Sequence, residues 1–176
     1  MGNGEYYNTT IASGNISTSG SHKLYALNYA GYRVVCTNAF KSNTTSDFAG
    51  LYPTNFCDIA AGKLKANAAG NIAYLAGIYT GSTFSGGNIT VGASSEVFGT
   101  VLAGDQLTTG GSTTIHGYVN SAGQGTSVAN NWSGSTTIDL RDLPDGYKPG
   151  ESPGNGGSAC TSNCSGGVSL TWARPI

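Results

Sequence analysis

Apolar and polar residues alternate over short runs, and glycines separate the runs. The stretch HKLYALNYAGYRVVC at 22–36 is rich in aromatic and β-branched residues, and VSLTW at 168–172 has the pattern of a closing strand. Successive side chains of a strand point to opposite faces, so this alternation is typical of strands with one buried face. The pattern predicts an all-β fold whose strands of about five to eight residues are joined by glycine-rich turns.

A weak repeat with a period of 18 runs through the middle of the chain. At this offset the matching residues are Val97 with Ile115, Gly99 with Gly117, Val101 with Val119 and, one step earlier, Tyr79 with Val97. Such a period is typical of a β-solenoid, in which each turn of the chain stacks on the turn before it. Antiparallel strands would also place apolar residues at alternate positions, so the repeat leaves both folds open.

The pentapeptide GSTTI occurs at 111–115 and again at 134–138, an offset of 23 instead of 18. A strict coil would need an insertion between the two copies. The second copy continues into DLRDLPDGYKP, whose Pro-Asp-Gly is a turn signal that favours the end of a sheet. We therefore predict two similar strands of one antiparallel β-sandwich or jelly-roll-like head, with a short β-solenoid section at about 72–125.

The chain divides near residue 70 into two predicted regions. Residues 1–70 form a β-rich region in which Cys36 and Cys57 close a polar loop. Residues 71–176 form the β-head, with a Gly- and Pro-rich loop at 143–167.

All four cysteines are disulfide candidates. Pairing of neighbours, Cys36 with Cys57 and Cys160 with Cys164, is the simplest of the three connectivities that four cysteines allow. Such bonds persist in an oxidising environment. A metal site at Cys160 and Cys164 is the alternative, but no histidine is near them, so we predict no metal.

Composition and charge exclude several classes of function. Charged residues are 10% of the 176, against roughly 25% in an average domain, and the net charge is −1. No basic stripe is available for nucleic acid. The longest apolar-leaning stretch, 68–79, is too short and too interrupted to enter a membrane. The first ten residues do not resemble a signal peptide, so either a leader has been removed or none is used.

The residue types that carry catalysis are sparse. Neither His22 nor His116 lies in a motif of a Ser-His-Asp triad. Paired carboxylates of a glycoside hydrolase are the enzymatic alternative, but nine acids are few for a sugar-cleaving cleft. The acidic run of Asp139, Asp142 and Asp145 lacks the spacing of a calcium loop. We predict no enzymatic activity and no cofactor.

The stretch TTIHGYVNSAGQG, together with NNWSGSTTIDLRDLPDGYKPGE, resembles the C-terminal head of bacteriophage tail fibres and related receptor-binding proteins. Those heads often carry a segment Leu-Pro-x-Gly-Tyr-Arg-Pro after a strand pair. Here the segment runs from Leu143 to Pro149, with Lys148 in place of Arg. The resemblance covers about 112–149, and the cysteine-bearing loop 150–167 departs from the usual shorter connection. It implies a virion protein, usually a homotrimer, with a structural or host-binding role.

These observations lead to a prediction of a non-catalytic virion structural protein, such as a tail fibre, tail tip or capsid decoration, that acts in assembly or host-surface binding. Its partners would be other virion subunits and a host cell-surface glycan or protein. Tyr118, Trp132 and Tyr147 are the candidate contact residues, with burial in the core as their alternative role. The alternative function is a secreted β-solenoid adhesin at the cell surface, pilus-associated or, because of its threonine doublets, ice-binding-like.

Overall fold

A computed structural model describes residues 1–38, 57–65, 69–125, 129–141 and 143–144. Most strands in these ranges belong to three sheets, here named A, B and C. Sheet A contains β1 (Gly4–Tyr7), β4 (His22–Tyr25), β11 (Glu96–Phe98), β14 (Thr114–His116) and β17 (Thr137–Asp139). Sheet B contains β2 (Thr10–Ala12), β7 (Ile72–Ala76), β12 (Thr100–Ala103) and β15 (Val119–Ser121). Sheet C contains β3 (Ile16–Ser17), β10 (Ile89–Val91), β13 (Leu107–Thr109) and β16 (Asn131–Trp132).

The remaining elements lie in the connections between these strands. They are α1 (Leu27–Ala30), a π-helical turn (Arg33–Asn38), a 3₁₀ turn (Ala69–Asn71), and the hairpins β5 (Cys57–Asp58) with β6 (Lys63–Leu64) and β8 (Ile78–Thr80) with β9 (Thr83–Ser85). Across the described ranges, no helix has the length and apolar character that a membrane span requires.

The chain passes through sheets A, B and C in order and then returns to sheet A one strand further along. The first turn consists of β1, β2 and β3. The fourth turn ends with β16, and β17 is the first strand of a fifth turn. All strand pairs within the three sheets are parallel. The described residues therefore form a parallel β-solenoid.

The prediction of an antiparallel β-sandwich or jelly-roll-like head is wrong, because antiparallel pairing occurs only in the two hairpins of the described chain. Alternating apolar residues reveal which face of a strand is buried, but they do not reveal which strand lies beside it. Strands from before and after residue 70 pair in all three sheets, so the coil crosses the boundary drawn there from the sequence.

The period of 18 seen in the sequence is the length of one uninterrupted turn. Ile89 lies opposite Leu107, and Val97 lies opposite Ile115. The proposed match of Tyr79 with Val97 is wrong, since the other neighbour of Val97 is Leu24. Tyr79 belongs to the hairpin that leaves the coil.

Three insertions lengthen individual turns and hide the period. The largest lies in the turn that separates Thr10 from its partner Tyr74. A shorter insertion lies between Tyr74 and its next partner, Val101. The shortest lies between Thr108 and its partner Asn131. In each case the two partners are further apart along the chain than one uninterrupted turn. The irregular gaps in the sequence are therefore insertions in one continuous coil.

The two copies of GSTTI lie in adjacent turns of this coil. Thr114 pairs with Thr137 and Ile115 with Ile138, in neighbouring strands of sheet A. The short insertion between β15 and β16 accounts for the offset of the two copies, which exceeds one turn. Their interpretation as strands of a compact head is therefore wrong.

Columns of apolar side chains fill the interior of the coil. The largest fully buried aliphatic residues, none more than 1% exposed, are Leu24, Val91, Val97 and Ile115, with Ile89, Val101 and Leu107. Each fully buried aliphatic side chain contributes roughly 1.5–3 kcal/mol. Stacked turns thus supply the core that no single turn could form.

The corner between sheets A and B requires glycine. Gly99 and Gly117 stack there with φ of 143° and 157°, and a Cβ on Gly117 would lie 2.5 Å from the carbonyl oxygen of Gly99. A larger residue would separate the two turns, so these glycines set the spacing of the coil at this corner.

One predicted disulfide is confirmed. Cys36 and Cys57 are bonded, with an S–S distance of 2.05 Å, and they pack with Val35 and Leu64 in a small cluster beside the coil. Cys160 and Cys164 lie outside the described residues, as does nearly all of the loop 143–167.

Candidate functional site

The outer face of sheet B carries aliphatic side chains. Ile11, Leu75 and Leu102 follow one another across three strands, and exposed Asn120 continues the column on β15. Ile11 is 67% exposed, and the two leucines are half-buried. Outward positions of a coil ordinarily carry polar residues, so this column marks a surface suited to contact with another molecule.

A groove of about 410 Å³ lies beside this column and is here called the hairpin groove. Leu75 and Leu102 form its floor, and Tyr79 and Phe84 of the β8–β9 hairpin form one wall. Its lining residues are Leu75, Ala76, Gly77, Tyr79, Phe84, Leu102, Ala103, Gly104, Asn120, Ala122 and Gln124. The groove therefore joins an aliphatic floor, an aromatic wall and two amide side chains.

The aromatic wall is held in place by the coil beneath it. The Phe84 ring lies so close to the backbone that a Cβ on Gly104 would be only 2.4 Å from its Cζ atom. Tyr79 packs edge-on against Phe84, with ring centroids 5.1 Å apart, and its hydroxyl donates a hydrogen bond to Gln124 Oε1. Tyr79 is nevertheless 56% exposed, so a ligand can reach this residue.

Two of the predicted contact residues meet in a second groove, of about 270 Å³, at the C-terminal end of the described coil. Tyr118 and Trp132 line this end groove with Val119, Ser121, Asn130, Ile138 and Leu140. Trp132 pairs with Thr109 of the previous turn and is 43% exposed, so it is not a core residue of the described coil. Tyr147 lies outside the described residues.

Sheet A carries a ladder of stacked rings on its outer face. Tyr7, Tyr25, Phe98 and His116 follow one another with centroids 4.3–5.2 Å apart and planes within 17°. Phe98 and His116 are therefore neighbours on the outer face of sheet A. Each inner ring is covered on both sides by its neighbours, so the ladder stabilises the coil and offers a ligand mainly ring edges.

Sheet C presents a single polar column on its outer face. Ser17, Thr90, Thr108 and Asn131 occupy it, one residue per turn. A column that is only half threonine is not the regular array that the ice-binding alternative requires.

The cluster that most resembles a catalytic site is buried inside the coil. The Tyr74 hydroxyl lies 2.7 Å from His22 Nε2, His22 Nδ1 lies 2.9 Å from Ser95 Oγ, and Ser95 Oγ lies 3.2 Å from the Gly20 carbonyl. A proton on Nδ1 allows Tyr74 to donate to Nε2 and Ser95 to donate to Gly20. His22 is 2% exposed and its two partners are fully buried, so no substrate reaches them.

Burial also determines the charge of this cluster. Burial lowers the pKa of His22. The hydrogen bond to the Gly20 carbonyl raises this pKa, and the N-terminal amino group lowers it further, but burial is the largest of the three effects. Burial raises the pKa of Tyr74, with a contribution from Tyr6. Both side chains are therefore neutral at pH 7, and the cluster is a structural network of hydrogen bonds.

The acidic side chains do not form a metal site within the described ranges, where no three His, Cys, Asp or Glu residues come together. Asp139 accepts hydrogen bonds from Arg141 Nε and Nη2, at 2.9 and 2.7 Å, and from the Arg141 backbone. These bonds hold the pKa of Asp139 well below its usual range. Asp142 and Asp145, the other members of the acidic run, lie outside the described residues.

Sequence reasoning missed the residues of the hairpin groove. A signal was present, because Gly81 and Ser82 form a two-residue turn between the paired residues Thr80 and Thr83. Glycine at the first turn position is typical of a tight hairpin. Recognising this hairpin would have removed Tyr79 from the repeat.

We compared the chain with protein-family models, curated sequences and solved structures, and none of the three comparisons finds a match. The resemblance to phage tail-fibre heads therefore has no support from relatives. Function has to be inferred from the geometry of the coil and its surface.

Proposed function

We propose that this chain is a non-catalytic recognition module, in which the coil is a rigid support and the outer face of sheet B binds a ligand on a cell surface. The best description is a β-solenoid adhesin that acts outside the cell. Its partner would be a cell-surface glycan or protein.

The position of the insertions carries this proposal. The largest insertion leaves the coil between sheets A and B, at the corner after β4. The two shorter insertions both leave between sheets B and C, after β7 and β15. All three therefore border sheet B. In solenoid proteins, insertions concentrated on one face commonly mark the binding face.

The Cys36–Cys57 disulfide agrees with a place outside the cell, where such bonds persist, and it agrees equally with a virion surface. One further observation supports an adhesin over a virion head. The coil removes the reason for preferring a compact head, since the GSTTI copies are consecutive turns. The virion role, the homotrimer and the partner virion subunits stay predictions that rest on the resemblance at 112–149.

Binding of the labelled full chain to cells tests the proposal. A panel of bacterial and animal cells would be incubated with the wild type, with Leu102→Arg in the groove floor, and with Thr108→Arg as a matched control. Thr108 is an outward residue of the same turn, on sheet C. Binding that Leu102→Arg abolishes and Thr108→Arg leaves intact supports the proposal. Absence of binding to every cell type, or equal binding by both variants, contradicts it.

Sedimentation of the full chain separates the adhesin from the virion fibre. A monomer agrees with the adhesin proposal. A stable trimer agrees with the resemblance to tail-fibre heads and favours the virion role.

A further inference from the structure

We infer that the hairpin groove binds a neutral oligosaccharide. The inference rests on the proposed recognition function and narrows it to one class of ligand. It is carried by the surface chemistry, the charge and the rigidity of the groove.

The surface of the groove matches the two sides of a sugar ring. A pyranose has faces of C–H groups and a rim of hydroxyls. The leucines of the floor and the exposed ring of Tyr79 can pack against the C–H faces. Asn120 and Gln124 lie among the lining residues and can exchange hydrogen bonds with the hydroxyls. A purely apolar ligand would leave these amides without a matching group.

Charge restricts the ligand to neutral sugars. None of the described residues that line the groove is charged. Asp105, which follows Gly104 of the lining, is only 4% exposed, and its carboxylate accepts the Gly125 N–H at 3.0 Å. An acidic sugar, a phosphate or an amine would therefore lose hydration in the groove without meeting an opposite charge.

The groove is also built in advance of binding. Phe84 is fixed against the glycine backbone, and the hydrogen bond from Tyr79 to Gln124 Oε1 orients both side chains. This bond uses the oxygen of Gln124, so its NH₂ group is the one positioned to donate to a sugar hydroxyl. Side chains that are already ordered lose little entropy when a ligand binds. The volume of about 410 Å³ is in the range of roughly 300–1,000 Å³ of small-molecule sites.

Calorimetric titration of the full chain with defined oligosaccharides tests the inference. The probes are neutral hexasaccharides of glucose, galactose, mannose and N-acetylglucosamine, with oligogalacturonate and a heparin fragment as charged comparisons. We expect at least one neutral probe to bind with a Kd on the order of 0.1 mM, which is typical of one shallow site. The charged probes are expected to bind at least about tenfold more weakly.

Variants locate the binding. Tyr79→Ala should weaken binding about tenfold or more because it removes the aromatic wall. Tyr79→Phe should cost only about two- to fivefold, because it keeps the ring and loses the bond to Gln124. Tyr7→Ala removes an exposed tyrosine from sheet A and should leave the affinity unchanged. Circular dichroism of each variant confirms that the coil is intact.

Several results would overturn the inference. They are no binding of any neutral probe at about 10 mM, binding of charged probes alone, and binding that Tyr79→Ala does not weaken. If cells bind the wild type, Leu102→Arg abolishes that binding, and no neutral sugar competes, only the sugar assignment fails. If the wild type and the variants Leu102→Arg and Thr108→Arg all bind cells equally well, the outer face of sheet B is not the recognition face.

Discussion

Ile115 and Ile138 are the last residues of the two copies of GSTTI. Replacing each of them with alanine measures how deeply that copy is buried in the coil. Ile115 is fully buried, with Val97 on one side and Ile138 on the other. Ile138 has Ile115 as its neighbour on one side and is 36% exposed. The same five letters therefore occupy two different environments, and the coil predicts two different costs.

The magnitudes follow from the burial of each side chain. Isoleucine to alanine removes three carbons, which at about 0.8 kcal/mol for each buried group costs roughly 2.4 kcal/mol in transfer free energy. At Ile115 a cavity between two turns adds to this, so the free energy of unfolding should fall by about 3–4 kcal/mol. At Ile138 a third of the side chain is already in water and little cavity remains, so we expect about 1.5 kcal/mol.

Urea unfolding followed by far-ultraviolet circular dichroism measures both costs. The difference of about 2 kcal/mol should appear as a lower urea midpoint for Ile115→Ala and as a melting temperature lower by several degrees. Equal costs for the two variants would contradict the difference in burial between Ile115 and Ile138. A larger cost at Ile138 would show that the second copy is the more deeply buried.

Three further predictions concern the corner, the buried histidine and the disulfide. Gly117→Ala should cost about 2–3 kcal/mol in thermal unfolding because the added Cβ would meet Gly99. A Cβ on Gly111 would meet nothing within 4 Å, so Gly111→Ala should cost little. Equal losses in the two variants would contradict the close stacking of Gly117 on Gly99. Burial lowers the pKa of His22 below its unfolded value near 6.5, so its stabilising effect is complete above that value and declines as pH falls below it. The urea midpoint of the wild type should therefore fall as the pH is lowered from about 7.5 to 5. His22→Gln should remove more of this fall than His116→Gln. A wild-type midpoint that stays unchanged over this range would contradict the role given to His22. Replacing Cys36 and Cys57 with serine should cost about 3 kcal/mol in urea unfolding, given their sequence separation of 21, and an unchanged midpoint would show that the bond does not constrain the unfolded chain.

The candidate site could be predicted only in part. Tyr118 and Trp132 are predicted as contact residues because they are aromatic, and they do line one groove together. The hairpin groove was missed because Tyr79 and Leu102 belong to different turns and meet only through the register between those turns. A groove between an insertion and a sheet depends on where the insertion leaves the coil, and local patterns contain little of that information.

The sequence by itself determined which residues face inward, because alternation assigns a side to each residue of a strand once the strand is recognised. It also contained the length of a turn, since Val97 recurs as Ile115 and the corner glycine Gly99 recurs as Gly117 at the same offset. These features depend on neighbours along the chain or one turn away.

Only the tertiary structure decided that the strands are parallel and that the coil continues through its insertions. Leu24 and Val97 are separated along the chain by the two largest insertions, yet they are neighbours in sheet A. No local signal distinguishes that partner from others, because any buried apolar strand offers a similar surface. The choice is made by the whole stack of turns, in which each pairing is stabilised by the core that all of them share.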